Sequence, residues 1–171
     1  MSTISKKLYH AAGLSPGKSF DNHSLLFLVI SGIILVAAGA VELYLRQPQF
    51  SWVFFLIGFP LFVIGTIVRM AGQNNLDKQF TIAVKIVDNH ELITDGIHSY
   101  IRHPMYTGMF LMLIGLCLAL QSFAGILVTI LLVIPAGVYR VYVEEKVLLK
   151  FFGKKYSDYM KKTKRFLPYL F

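Results

Sequence analysis

The sequence predicts an all-α integral membrane protein with four transmembrane helices, the last two forming a C-terminal helical hairpin, with a cytosolic polar loop and an amphipathic C-terminal tail. Three observations predict it. Hydrophobic residues make up 56% of the chain and its mean hydropathy is +0.61, more apolar than an ordinary soluble domain. Charges are excluded from runs long enough to cross a hydrocarbon core of about 30 Å, which takes roughly 20 helical residues. The one extended polar insertion, residues 72–103, ends directly against such a run.

Residues 1–23 are a polar, mixed lead with Lys6, Lys7 and Lys18 and a turn signal at Ser15-Pro16-Gly17, expected on the cytosolic side. From Ser24 to Leu45 the only charge is Glu42, so 24–45 is the first span. Its length and late start argue against a cleaved signal peptide. Arg46-Gln47-Pro48 makes a turn, and 51–71 is the second span, with Trp52 near the boundary, Pro60 in its middle and Arg69 ending the apolar run. Residues 72–103 form the loop, with a β-branched, extended piece at Phe80 to Val87 and turns at Asp88-Asn89 and Asp95-Gly96.

The run from Pro104 to Tyr139 holds 36 residues without a charge. As one helix it would measure about 54 Å, too long for a single crossing. It must fold back, and Gln121-Ser122 is the natural hinge, giving a third span at 104–120 and a fourth at 123–143 that Pro135 and Gly137 should distort. Residues 144–171 interleave aromatics with lysines and read as an interfacial tail. The whole is one membrane domain. Positive-inside counting places the lead, the loop and the tail on one side, so both termini and the loop are expected in the cytosol.

The net charge of +8 fits a bilayer surface better than nucleic acid, because the basic residues cluster beside apolar segments. Cys117 stands alone, which excludes a disulfide framework and a cysteine-based zinc site. No Gly-rich phosphate cradle follows a strand, and no Walker-type loop is present. No obligate protein partner is readable.

The densest chemistry lies in HELITDGIHSYIRHPMYTG, His90 to Gly108, at the membrane boundary. His90, His98 and His103 are spaced eight and five apart across a loop, which matches no usual metal-ligand pair, so no metal is expected. Later, Arg140 and Glu144 lie four apart and share a helix face beside Glu145. Ionisable groups at the edge of a membrane bundle are costly unless paired or functional.

The run H-x-L-x-T-x-G, then R-H-P-x-Y-x-G, then R-x-x-x-E-E, then FFG-x-x-Y-x-x-Y and a closing Arg-Phe-Leu-Pro resembles the isoprenylcysteine carboxyl methyltransferase family of integral membrane enzymes, over roughly residues 80–168. The resemblance implies S-adenosyl-L-methionine as methyl donor and S-adenosyl-L-homocysteine as product. It implies donor contacts at His90, Glu91, Leu92, Ile93, His98, His103, Pro104, Met105, Tyr106 and Glu144. It gives Arg140 to the substrate and makes Arg140 and Glu144 the catalytic pair. His98 stands where that family usually has tyrosine, and Ala83 where it has glutamine, with Gln79 nearby. The implied acceptor is a lipophilic small molecule or lipidated substrate drawn from the bilayer, most simply a carboxylate. Three other readings stay open on the residues alone: an NADPH-dependent reductase of the membrane sterol-reductase type, a phospholipid N-methyltransferase-like enzyme, and a non-enzymatic membrane protein.

Overall fold

The computed structural model describes residues 23–76 and 91–168, and the chain is helical almost throughout them. The lead up to residue 22, the extended piece at Phe80 to Val87, Gln79, Ala83 and His90 lie outside the described residues. Helix α1 is His23–Arg46, α2 is Trp52–Leu76, α3 is Pro104–Ala119, α4 is Phe123–Phe152 and α5 is Lys154–Lys162. A single 3₁₀ turn, Gly96–Ser99, precedes α3. Three helices are long and apolar enough to cross a membrane: α1, α2 and the 30-residue α4. Helix α3 is apolar but has 16 residues and falls short of that length. With many large apolar side chains facing outward, among them Val36, Leu56 and Leu131, the chain is an integral membrane protein.

Two helices run beyond their expected ends. Helix α2 continues through Gln73, Asn74 and Asn75, which are polar but carry no helix breaker, so nothing stops the hydrogen-bond ladder at the membrane edge. Helix α4 continues to Phe152 and stops at Gly153, whose φ of 55° lies in the left-handed region that side-chain-bearing residues avoid. The expected distortion near Pro135 is one π-helical turn, Thr129–Val133, just upstream of it. Proline cannot donate to the carbonyl four residues back and its ring crowds that carbonyl, so the turn widens.

The long helices form two pairs: α2 lies antiparallel on α3, and α1 packs on α4. The α2–α3 contact is made by glycines spaced seven apart. A Cβ on Gly58 would lie 2.4 Å from the Ala119 nitrogen, one on Gly65 2.4 Å from the Met112 nitrogen, and one on Gly115 2.3 Å from the Phe62 nitrogen. The two backbones therefore touch, as helices do in lipid, where tight packing replaces a hydrophobic drive for association. Gly108 belongs to this seam too: its Cβ would meet the Arg69 nitrogen at 2.4 Å.

At the end of the bundle away from the polar loop, the hinge falls at Gln121-Ser122, with Gln121 at φ 56°. Glu42 of α1 reaches across to it. Its carboxylate accepts from the Ser122 hydroxyl at 2.8 Å and from the backbone N–H groups of Phe123 at 3.2 Å and Ala124 at 2.8 Å. The lone charge of the first apolar run is thus the cap for the N-terminus of another helix, where donors are otherwise unpaired and the dipole favours an anion. Arg46 completes the group, 2.8 Å from Glu42 and stacked over the Phe123 ring.

Candidate active site

The polar end of the bundle is built from the loop before α3, the last turns of α4, and the tail. The tail packs back on the loop. After the break at Gly153, α5 turns back, and the chain beyond it runs beside the RHP tripeptide. Arg102 N donates to Lys164 O at 2.8 Å, His103 N to Arg165 O at 3.0 Å, and the Thr107 hydroxyl to Phe166 O at 2.9 Å. Ile101 and Lys164 form a parallel bridge. This strap holds the start of α3 by its backbone.

Glu145 locks the strap. Its side chain is buried and accepts from Arg102 Nε at 2.9 Å and Arg165 Nε at 2.8 Å, with His103 Nε2 at 3.3 Å. Arg102 also donates to the carbonyls of Met160 and Thr163. The hydrogen bond to Glu145 raises the Arg165 pKa further. Neither Arg102 nor Arg165 is among the residues expected at the site. The signal for them was the pairing of an R-H-P start with a closing Arg-Phe-Leu-Pro, two basic groups with one carboxylate, Glu145, to share.

The neighbouring Glu144 points elsewhere. Tyr106, on the first turn of α3, donates its hydroxyl to Glu144 Oε2 at 3.2 Å. Arg140, one turn earlier on α4, reaches the same hydroxyl and donates to the Ser24 hydroxyl of α1 at 3.1 Å. So Tyr106, Arg140 and Glu144 converge, with Arg140 only 4% exposed and Glu144 half-buried. A cation, a carboxylate and an aromatic ring meet at one end of an apolar bundle.

The remaining expected residues are placed as follows. Glu91 is exposed and Leu92 and Ile93 are half-buried on the irregular run before the 3₁₀ turn. His98 is buried in that turn, its Nδ1 3.1 Å from the Asn75 amide of α2, and its carbonyl accepts from the Tyr159 hydroxyl at 2.6 Å. Burial, reinforced by His103 nearby and opposed by Asp95, lowers its pKa to about 4, so the ring is neutral and Nδ1 accepts from the amide. Burial likewise pushes the Tyr159 phenol up to about 12. Gly96, at φ 53°, lies against the Asn75 side chain. His103 is the residue before α3, with its ring edge-on to Tyr106 at 6.0 Å. Pro104 opens α3, where a missing N–H costs nothing. Pro104 and Met105 both touch Gly72 of α2.

Residues 53–155 match the phospholipid methyltransferase family model. The chain is 33% identical to a protein-S-isoprenylcysteine O-methyltransferase of Schizosaccharomyces pombe over 107 residues, 61% of this chain and 45% of that one. It is 29% identical to the Dictyostelium discoideum protein of the same name over 163 residues, 94% of this chain and 68% of that one. Its fold is similar to the solved structure of a eukaryotic intramembrane Ras methyltransferase, isoprenylcysteine carboxyl methyltransferase, with a TM-score of 0.67 and 25% identity, covering 88% of this chain and 55% of that one. The chain thus spans about half the length of the S. pombe relative and of the solved chain. With more than half its residues under the family model, the chain belongs to the phospholipid methyltransferase family, and the relatives it is similar to include the isoprenylcysteine carboxyl methyltransferases that its motifs resemble.

Proposed function

We propose that the chain is an S-adenosyl-L-methionine-dependent methyltransferase acting at the membrane interface on a lipophilic carboxylate, in the manner of isoprenylcysteine O-methylation. The observation that carries this is the convergence of Arg140, Glu144 and Tyr106 at the polar end of apolar helices. The residues fit such a donor. Glu144 is a half-buried carboxylate with the right charge for the ammonium of the methionyl part, and the Tyr106 ring suits a sulfonium approached face-on. His98, Leu92, Ile93 and Met105 supply walls for the adenosine. When bound, the donor supplies a methyl group already activated by the positive sulfur.

The chain's own task is then positioning and exclusion of water. A carboxylate acceptor is ionised at neutral pH and needs no base. Arg140, buried where water screens little, orients it through a planar, two-pronged contact. The site lies at the end of helices whose outer faces are apolar, so an acceptor with a lipid tail can keep the tail in the bilayer while its head meets Arg140. We place the loop, the strap and both termini on the cytosolic side, with four crossings in which α3 completes the hairpin with α4, on the basis of the basic loop and tail.

A second reading is favoured by the name of the family model itself: the acceptor is a phospholipid amine. Arg140 argues against it, because a cation repels a protonated amine. The relatives named above are methyltransferases, and the reductase reading has no support among them. The experiment is transfer of labelled methyl from S-adenosyl-L-methionine, with the full chain in nanodiscs, to a prenylated cysteine, a phospholipid amine and a lipophilic thiol. Labelling of the prenylated cysteine as a base-labile ester is expected. Labelling of the amine alone replaces this reading by the second, and no transfer to any acceptor overturns both.

A further inference from the structure

Tyr156 is the largest fully buried side chain among the described residues, 1% exposed, and its hydroxyl is the buried side-chain polar atom there without a hydrogen-bond partner. Such an atom needs an explanation, because burial strips it of water without returning a bond. Its surroundings are otherwise satisfied. The Tyr159 hydroxyl donates to His98 O, the Thr163 hydroxyl to Tyr159 O, and Arg102 and Arg165 are committed to Glu145. Tyr156 belongs to α5, which the strap folds back over the loop, and it stands within electrostatic reach of Glu144, Glu145 and Arg102. Burial pushes its phenol up, so it remains protonated and able to donate.

We propose that the Tyr156 hydroxyl is a ligand-binding group, donating a hydrogen bond to the carboxylate at the amino-acid end of the bound methyl donor. The inference rests on the donor proposed above. The amino-acid end carries an ammonium and a carboxylate on one carbon, so whatever meets the carboxylate must lie near the group that meets the ammonium. Glu144 is suited to the ammonium. The neighbouring guanidinium groups of Arg102 and Arg165 are engaged by Glu145, and that of Arg140 is assigned above to the acceptor carboxylate. Among the described residues, Tyr156 carries the buried side-chain donor without a hydrogen-bond partner.

The test compares the full chain with its Tyr156→Phe variant in detergent or nanodiscs. Two ligands are titrated: S-adenosyl-L-homocysteine, and 5′-methylthioadenosine, which keeps the adenosine and the thioether but lacks the amino-acid end. Thermal unfolding of both proteins is recorded without ligand. The expected result is a roughly 10-fold weaker affinity of the variant for S-adenosyl-L-homocysteine, as for loss of a bond to a charged group, equal affinity of the two proteins for 5′-methylthioadenosine, and an unliganded Tm that is unchanged or higher. Equal affinity of the two proteins for S-adenosyl-L-homocysteine overturns the assignment, as does an equal loss for both ligands. A lower unliganded Tm in the variant overturns it too, because the hydroxyl would then serve the fold. Absence of S-adenosyl-L-homocysteine binding by the unaltered chain overturns the proposed donor along with it.

Discussion

Glu145 and Arg102, 43 positions apart in the chain, form an ion pair at 2.9 Å with both side chains less than a tenth exposed. Removing the carboxylate leaves a buried guanidinium without its counter-charge, the costly way to break such a pair, at about 3–5 kcal/mol. Glu145→Ala should therefore lower stability by about that much and loosen the tail, seen as faster proteolysis after residue 153. Arg165→Ala removes the more exposed partner and should cost about 1 kcal/mol or less.

His98 makes stability depend on pH. Its pKa falls from an ordinary 6.5 to about 4 in the folded protein, so the unfolded chain takes up the proton first. Above pH 6.5 the ring is neutral in both states and its full contribution is present. As pH falls from 6.5 to 4 that contribution is lost, to the order of 3 kcal/mol in all, and below 4 the slope disappears. Thermal unfolding of the wild type between pH 4 and 7 should show this decline, and His98→Gln should flatten it.

The glycine seam admits no side chain. Gly65→Ala places a methyl group against the Met112 backbone, so α2 and α3 must separate, at a cost of about 1–3 kcal/mol. Gly32, whose Cβ would meet nothing within 4 Å, is the control, and Gly32→Ala should be neutral or slightly stabilising in the same denaturation assay.

Glu42 and the site should be separable. Glu42→Ala strips the cap from α4 and should destabilise the protein by about 1–2 kcal/mol, while affinity for S-adenosyl-L-homocysteine stays within 2-fold of the wild type, roughly 0.4 kcal/mol or less. A large loss of affinity in a variant that still folds would show that the two ends of the bundle are coupled.

Arg140 and Glu144 should divide the work. Arg140→Lys keeps the charge but not the planar fork, and should lower turnover of a carboxylate acceptor by roughly 100-fold through misorientation, with donor affinity little changed. Glu144→Gln should instead weaken S-adenosyl-L-homocysteine binding, by about 10-fold. Isothermal titration alongside the transfer assay separates the two effects.

Much of this was legible in the sequence because the physics was local. Uncharged runs marked α1, α2 and the hairpin, and the length of the 104–139 run forced the turn at Gln121-Ser122. The four-residue spacing of Arg140 and Glu144 put them on one face, as found. What escaped depends on partners distant in the chain. The seven-residue spacing of Gly58, Gly65 and Gly72 was visible, but only its counterpart at Gly108 and Gly115 gives it meaning. Glu42 looked like an isolated charge because the amides it caps lie 81 and 82 positions later. The strap was not legible in the tail, because its aromatic and basic residues suit a membrane interface whether or not the segment folds back.

Helix α4 is anchored twice. Glu42 grips its first turn from α1, and Glu145, near its other end, is gripped by the loop and the strap. Tilting this helix as a rod would tear one cluster or the other. Between the anchors lie the π turn, Pro135 and Gly137, the last pressed against the Phe110 ring. Movement of α4 must therefore take the form of a bow drawn between fixed tips, and the bend falls immediately before the turn that carries Arg140.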